Sequence, residues 1–394
     1  MTYTLLRSSV LLSGSGPNPW GPPATAILSD GTYLVASEIQ DTLESIRLWH
    51  LAADLSVLGS TDIAMGASDS PTPILVATGM HAVLITRVAY SPATYATYLI
   101  DVTGTTLTVG SVLSMATALV PQYGASVPFH IYDPVTGRIM LLATDGSGTD
   151  STMLQVFSAS TGALLSEAKA PGGGVTPTGL YMNPADHTKF AGFDANEQQL
   201  NFTVALDGST CTFGGHSDMA LLRGGIYPGA AGSPYITGGP GLIAEATSGV
   251  YPVNYYAADG TMPASAAGVG GEYVNLFGPA VTLGDAKHLI SYAEMDNNIG
   301  GYGVLGGFEG RLFAVDQSVV PATMVQLSLS YPTAGYSYVF DIAHMDADQT
   351  TGIILIGAMV KNGTVVSSVL WTVQGPAMTP NLTGQLLADR VRFT

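Results

Sequence analysis

Side chains able to do acid–base, metal or nucleophilic chemistry are sparse in this sequence. Of 394 residues only 10% are Asp, Glu, Lys or Arg, and there are seven histidines and one cysteine. Hydrolysis of a glycosidic bond needs two carboxylates about 5–10 Å apart. Glu294 and Asp296 could act with a residue from elsewhere in the fold, but EMDNNIGGYG around them reads as a solvated loop. Asp145 and Asp150 (in DGSGTD), and Asp346 and Asp348 (in DAD), offer oxygen ligands at close spacing. Calcium takes about six to eight oxygens, and its loop motif ends in a distal Glu that neither segment supplies. A strand-joining turn is the simpler role for Asp346 and Asp348. The histidines form no H-x-H or H-x-x-x-H pair, so zinc is not expected. Cys211 can make no internal disulfide and reads as a small apolar residue of an outer strand. The glycine-rich runs at 171–175 and 300–307 do not join a strand to a helix, so they are not phosphate cradles. No metal, cofactor or catalytic residue is predicted.

The bulk composition narrows the partners. Twelve Lys and Arg against 29 Asp and Glu leave a net charge of −17. Such a surface repels phosphate, which excludes nucleic acid and anionic membrane as natural partners. With 46% hydrophobic residues the chain is not disordered, and with so few charges it is not a coiled coil. Every apolar run is broken by Gly, Pro, Asp or Asn before the roughly 20 residues that span a bilayer, so no membrane insertion is expected. The opening MTYTLLRSSVLL lacks the continuous apolar core of a secretion signal.

The elements that must carry any site come from a weak internal repeat of about 50 residues. Its anchor is a polar turn followed by an apolar strand. Ser29-Asp30-Gly31 precedes TYLVASE, Thr78-Gly79-Met80 precedes HAVLITR, and Asp133-Pro134-Val135-Thr136-Gly137 precedes RIMLLATD. Later copies are HTKFAGFD, LIAEATS, KHLISYAE and IILIGAMV. The second half repeats as strand, Gly- or Asp-containing turn and strand, as in SIRLWHLAADLSVLGS and MLQVFSASTGALLSEA.

Four antiparallel strands repeated about seven times predict an all-β fold, a β-propeller of about seven four-stranded blades in one domain. A blade apolar on both faces is stable only between neighbours, which explains high hydrophobicity without long apolar runs. The expected blades are 24–66, 70–115, 124–170, 176–216, 232–268, 276–328 and 338–388. Two segments are left over, the leading strand 2–12 and the trailing segment 386–394; one of them, with 2–12 favoured, is expected to close the ring. A sialidase site would need S-x-D-x-G-x-x-W turns and three convergent arginines. SDG at 29–31 and TDG at 144–146 lack both the spacing and the Trp. The arginines at 7, 47, 87, 138, 223, 311, 390 and 392 are expected in surface or inter-blade salt bridges.

Residues 24–60, ATAILSDGTYLVASEIQDTLESIRLWHLAADLSVLGS, and residues 99–114, LIDVTGTTLTVGSVLS, resemble repeats of bacteriophage tail-fibre and virion-associated propellers. The resemblance covers about two of the seven repeats well, and no functional residue is carried over from it. It implies a particle component made in the host cytoplasm and located on the virion. Its partners would be other virion proteins and a host-surface glycan, in a homo- or hetero-oligomeric assembly.

The binding face is expected in the longest loops, 217–232, 268–277, 294–303 and 331–338. They carry Arg223, Tyr227, Glu272, Tyr273, Tyr302, Tyr331 and Tyr336. Tyrosine faces stack on sugars or anchor protein interfaces, and arginine joins them in such contacts. The predicted function is a non-enzymatic structural or adhesive virion component. The alternatives are an extracellular propeller enzyme acting on carbohydrate and a bacterial surface adhesion module.

Overall fold

Runs such as RIMLLATD put apolar side chains on both sides of a strand, so the strand must be covered on both faces. The computed structural model describes residues 3–13, 18–19, 23–40, 45–65, 73–90, 93–114, 119–120, 129–145, 151–171, 177–182, 186–194, 198–218, 226–228, 241–244, 253–256, 264–266, 273–283, 287–295, 308–316, 323–327, 338–348, 350–362 and 365–375. Among these residues the strands form seven antiparallel sheets.

The chain starts with β1 (Thr4–Ser13). Sheet I follows with β2 (Asn18–Pro19), β3 (Ala24–Ile27), β4 (Tyr33–Gln40), β5 (Ser45–Leu51) and β6 (Val57–Ala64). Sheet II holds β7 (Ile74–Thr78), β8 (His81–Tyr90), β9 (Ala93–Thr103), β10 (Thr106–Val109) and β11 (Leu113–Ser114). Sheet III holds β12 (Leu119–Val120), β13 (Phe129–Asp133), β14 (Arg138–Asp145), β15 (Ser151–Ser158) and β16 (Leu164–Ala170). Sheet IV holds β17 (Pro177–Met182), β18 (Lys189–Asp194), β19 (Gln198–Val204) and β20 (Cys211–Asp218). Sheet V holds β21 (Ile226–Pro228), β22 (Gly241–Ala244), β23 (Val253–Tyr256) and β24 (Ala264–Ala266). Sheet VI holds β25 (Tyr273–Leu283), β26 (Lys287–Met295), β27 (Phe308–Asp316) and β28 (Thr323–Leu327). Sheet VII holds β29 (Tyr338–Ala347), β30 (Ile353–Asn362) and β31 (Val365–Gln374).

Strand order within each sheet follows the chain, as in β17-β18-β19-β20, which is the meander of a propeller blade. Sheet VII is completed from the other end of the chain, because β1 pairs antiparallel with β31, Thr4 opposite Gln374 and Ser13 opposite Ser367. In sheets I and III the first position is shared by two short strands. β2 and β3 both pair with β4, and β12 and β13 both pair with β14. The outer strands β6, β16 and β20 each carry a bulge against their neighbour. A bulge twists the exposed edge and discourages pairing with another chain.

Alternation divides each central strand between two neighbours. Ile139, Leu141 and Ala143 of β14 pack with Val83 and Ile85 of sheet II. Met140 and Leu142 of the same strand pack with Phe190, Leu200 and Phe202 of sheet IV. Leu34 and Ala36 of β4 face sheet II, whereas Tyr33 and Val35 pack with Leu355 and Leu370 of sheet VII. Each fully buried Val, Leu or Ile contributes about 1.5–3 kcal/mol, so stability resides in these shared faces. Sheets I and VII also approach at backbone level. A Cβ on Gly357 would lie 2.4 Å from the Pro23 carbonyl oxygen, so only glycine fits there.

Candidate functional site

In a meander, the turn between first and second strands lies at the same end as the turn between third and fourth. These hairpin turns hold most of the described polar side-chain hydrogen bonds, and one local sequence recurs in them. In Asp30-Gly31-Thr32, Asp54-Leu55-Ser56, Asp186-His187-Thr188 and Asp207-Gly208-Ser209 the carboxylate accepts from the backbone N–H two residues on, at 2.9–3.0 Å. The hydroxyl of that same residue donates to the same oxygen, at 2.5–2.7 Å. An Asp side chain thus mimics a turn of backbone, while the hydroxyl adds a second hold. In Asp54, Asp186 and Asp207 the hydroxyl and N–H of residue i+2 hold the carboxyl below its usual range. Leu55 occupies the middle position at φ 69°, where Gly31 and Gly208 stand in the equivalent turns. Its side chain is buried, which offsets the strain of a left-handed residue.

A longer turn appears twice. In Asp133-Pro134-Val135-Thr136-Gly137, the Val135 N–H and the Thr136 hydroxyl donate to the two Asp133 oxygens, and Gly137 N–H returns to the Asp133 carbonyl. In Asp348-Gln349-Thr350-Thr351-Gly352, the Thr350 N–H, the Thr351 hydroxyl and Gly352 N–H do the same toward Asp348. The expected turn equivalence is therefore carried by Asp348, and Asp346 stands two residues earlier inside β29.

The turn in sheet III anchors the most developed polar cluster among the described residues. Arg138, the first residue of β14, is 1% exposed and Asp133 is fully buried. The guanidinium donates to Thr136 Oγ1 at 2.6 Å, to Asp133 Oδ2 at 3.1 Å and to the His187 carbonyl at 2.6 Å. It also donates to the Ala205 carbonyl and lies 5.7 Å from the centre of the Phe190 ring. His187 Nδ1 lies 3.0 Å from Asp133 Oδ1. Burial pushes the Asp133 carboxyl up, but the Thr136 hydroxyl, Arg138, His187 and the Val135 N–H outweigh it and hold it below its usual value. One cation thereby joins two blades.

At the junction of sheets VII and I the corresponding feature is a carboxylate. Asp346 Oδ2 accepts from the Ile27 N–H at 2.7 Å, and Oδ1 accepts from the Ala347 N–H. Burial raises this carboxyl; the two N–H groups oppose that, and Asp348 nearby adds to the rise. The Ser37 and Ser368 hydroxyls meet across the same junction at 3.4 Å.

Catalytic capacity is small among these groups. His50 is buried, with Nε2 2.8 Å from Thr32 Oγ1, whose hydroxyl is given to Asp30. Burial lowers the pKa of this imidazole, and its Nδ1 has no hydrogen-bond partner among the described residues. With the Thr32 hydroxyl proton given to Asp30, the imidazole donates to Thr32 Oγ1 and does not serve as its general base. Burial, with Glu167 adding to it, pushes the Cys211 thiol up to about 12, so it is inert as well.

The loop residues proposed from sequence fare differently. Arg223, Glu272, Tyr302, Tyr331 and Tyr336 lie outside the described residues, as do Asp296 and Asp150. Tyr227 stands in the middle of β21 opposite Leu242, and Tyr273 opens β25 opposite Met295, so both are strand rather than loop residues. Glu294 is also a strand residue, in register with Asn275 and Glu309, which corrects its reading as part of a solvated loop. Asp145 ends β14 opposite Ser151. Among the described residues no cluster of three His, Cys, Asp or Glu side chains is arranged to hold a metal. Sequence reasoning missed the Asp133–Arg138–His187 cluster. The recurring D-x-[ST] string at hairpins was a legible signal for the turns, but nothing local to residue 138 announced its partners in sheet IV.

No family model matches the sequence, and no curated protein is similar to it. Solved structures share its fold. Raptor from Chaetomium thermophilum superposes over 96% of this chain with a TM-score of 0.52 and 12% identity. The matched region is 30% of that chain, so this protein spans less than a third of Raptor's length. The WD40 β-propeller domain of Doa1 matches over 93% of this chain and 96% of its own, with a TM-score of 0.50 and 10% identity. The C-terminal WD40 domain of Sif2 matches 95% of this chain and 99% of its own at a TM-score of 0.48 and 10% identity. The fold is that of a β-propeller.

Proposed function

We propose that this chain is a non-enzymatic structural or adhesive propeller of a phage virion. On this reading it sits on a tail fibre, baseplate or head surface and contacts a neighbouring virion protein or a host-surface glycan. The observation that carries the non-enzymatic half is the use made of its carboxylates. Asp30, Asp54, Asp133, Asp186, Asp207 and Asp348 are each held by donors of their own turn. A carboxylate held by two such donors is a brace for the backbone, not a base waiting for a substrate proton. The virion half is supported by the resemblance of residues 24–60 and 99–114 to phage propeller repeats. The faces built this way are rigid platforms, and propellers carry their variable loops on such platforms.

Antibody against the purified chain, applied to intact phage particles with gold detection, tests the assignment. Labelling at a fixed place on the particle is expected, together with binding of the pure protein to host envelope polysaccharide or to a second virion protein. Particles without the chain would overturn the virion reading. Release of reducing sugar from that polysaccharide by the pure protein would overturn the non-enzymatic one.

A further inference from the structure

Two blade junctions are tied by opposite charges. At the III/IV junction the tie is Arg138, whose N–H groups reach the Ala205 and His187 carbonyls of sheet IV while Asp133 balances its charge. The titratable groups facing this pair from sheet IV are His187 and Asp207, with Asp186 and Lys189 beside His187. At the VII/I junction the tie is Asp346. Its described partners are the Ile27 and Ala347 N–H groups, and the charge acting on it is that of Asp348, which also lies near Tyr33 of sheet I.

Neutralising Asp133 leaves a buried guanidinium without its counter-charge. Neutralising Asp346 removes a half-buried anion that faces a second carboxylate, while its side-chain carbonyl oxygen can still accept from Ile27. We propose that acid opens the propeller at the III/IV junction, whereas the VII/I junction holds.

The directions of titration agree. Asp133 is held below the ordinary 3.8, so its stabilisation is present above that value and is lost as the pH falls through its depressed folded value. Asp346 is raised above the same 3.8, so the folded chain takes up this proton before the unfolded chain does. Stability is therefore gained there as the pH falls from its raised value toward 3.8. The VII/I seam tightens first, and the III/IV seam releases later.

Hydrogen exchange read by mass spectrometry on the full chain, as protection factors corrected for intrinsic rates, distinguishes the two seams between pH 7 and 2. Protection at 133–142 and 200–206 is expected to fall about tenfold or more below pH 4, while 24–27 and 354–359 keep theirs. Asp133→Asn is expected to lower protection at III/IV already at neutral pH and to abolish the acid step. Asp346→Asn, which tests the other seam independently, is expected to leave that step and to remove the earlier gain at VII/I. Loss of protection first at VII/I, or at both seams together, would overturn the proposal. So would an acid step unchanged in Asp133→Asn.

Discussion

The III/IV and VII/I junctions begin from the same turn and end in different physics. Asp133 and Asp348 open turns with matching hydrogen bonds, and five residues later one chain position is Arg138 and the other Ile353. With arginine there, the turn carboxylate is fully buried and becomes the counter-charge of a guanidinium that reaches the next blade. With isoleucine there, the turn remains a local device and the junction relies on close packing, on Ser37 with Ser368, and on Asp346 as a cap for Ile27. The lesson is that a repeated turn sets the backbone, while a single flanking residue decides whether it also reaches its neighbour. Glycine is the counterpart of arginine at the second junction, since the Pro23 carbonyl sits where a Gly357 side chain would be.

The largest effect should come from breaking the ion pair. Arg138→Met leaves the buried Asp133 carboxylate without its main counter-charge, and a loss of about 3–5 kcal/mol in urea unfolding is expected. The double variant Arg138→Met with Asp133→Asn should recover much of that loss, because the unpaired charge is gone; a double variant as unstable as the single would show that packing, not charge, is decisive. At VII/I the corresponding break is steric. Gly357→Ala forces the Pro23 backbone away and is expected to cost about 1–3 kcal/mol, seen as a lower urea midpoint at unchanged slope. Ile353→Arg sharpens the comparison by giving Asp348 the partner that Asp133 has. Both positions are partly exposed, so a change within about 1 kcal/mol is expected, and a gain approaching that lost in Arg138→Met would mean the turn alone specifies the tie. The smallest effect belongs to Arg47→Ala. The Arg47–Asp62 bridge, 2.7 Å long, joins side chains 32% and 43% exposed, so less than about 1 kcal/mol should be lost, and nothing at high salt.

Much of the fold was legible because its causes are local. The turn strings Ser29-Asp30-Gly31 and Asp133 to Gly137 lie where hairpins form, and the apolar runs after them are central strands. The run RIMLLATD reads as a strand whichever neighbours cover it. The candidate site was less legible for the opposite reason. Arg138 looks in sequence like any arginine beside a strand, and its partners at 187 and 205 are about 50 and 70 residues away. Glu294 reads as loop because Asp296-Asn297-Asn298 follows it, yet strand pairing continues through it to Met295.

Composition and periodicity by themselves determined that this chain is all-β, built of repeated four-stranded units that are apolar on both faces. They did so because hydrophobic alternation and turn chemistry act over a few residues. Only the tertiary structure decided which charged groups are buried, which blades are tied by a cation or a carboxylate, and that β1 completes the sheet begun by β29. Those outcomes depend on the desolvation and distance of residues far apart in the chain, and no local pattern encodes either quantity.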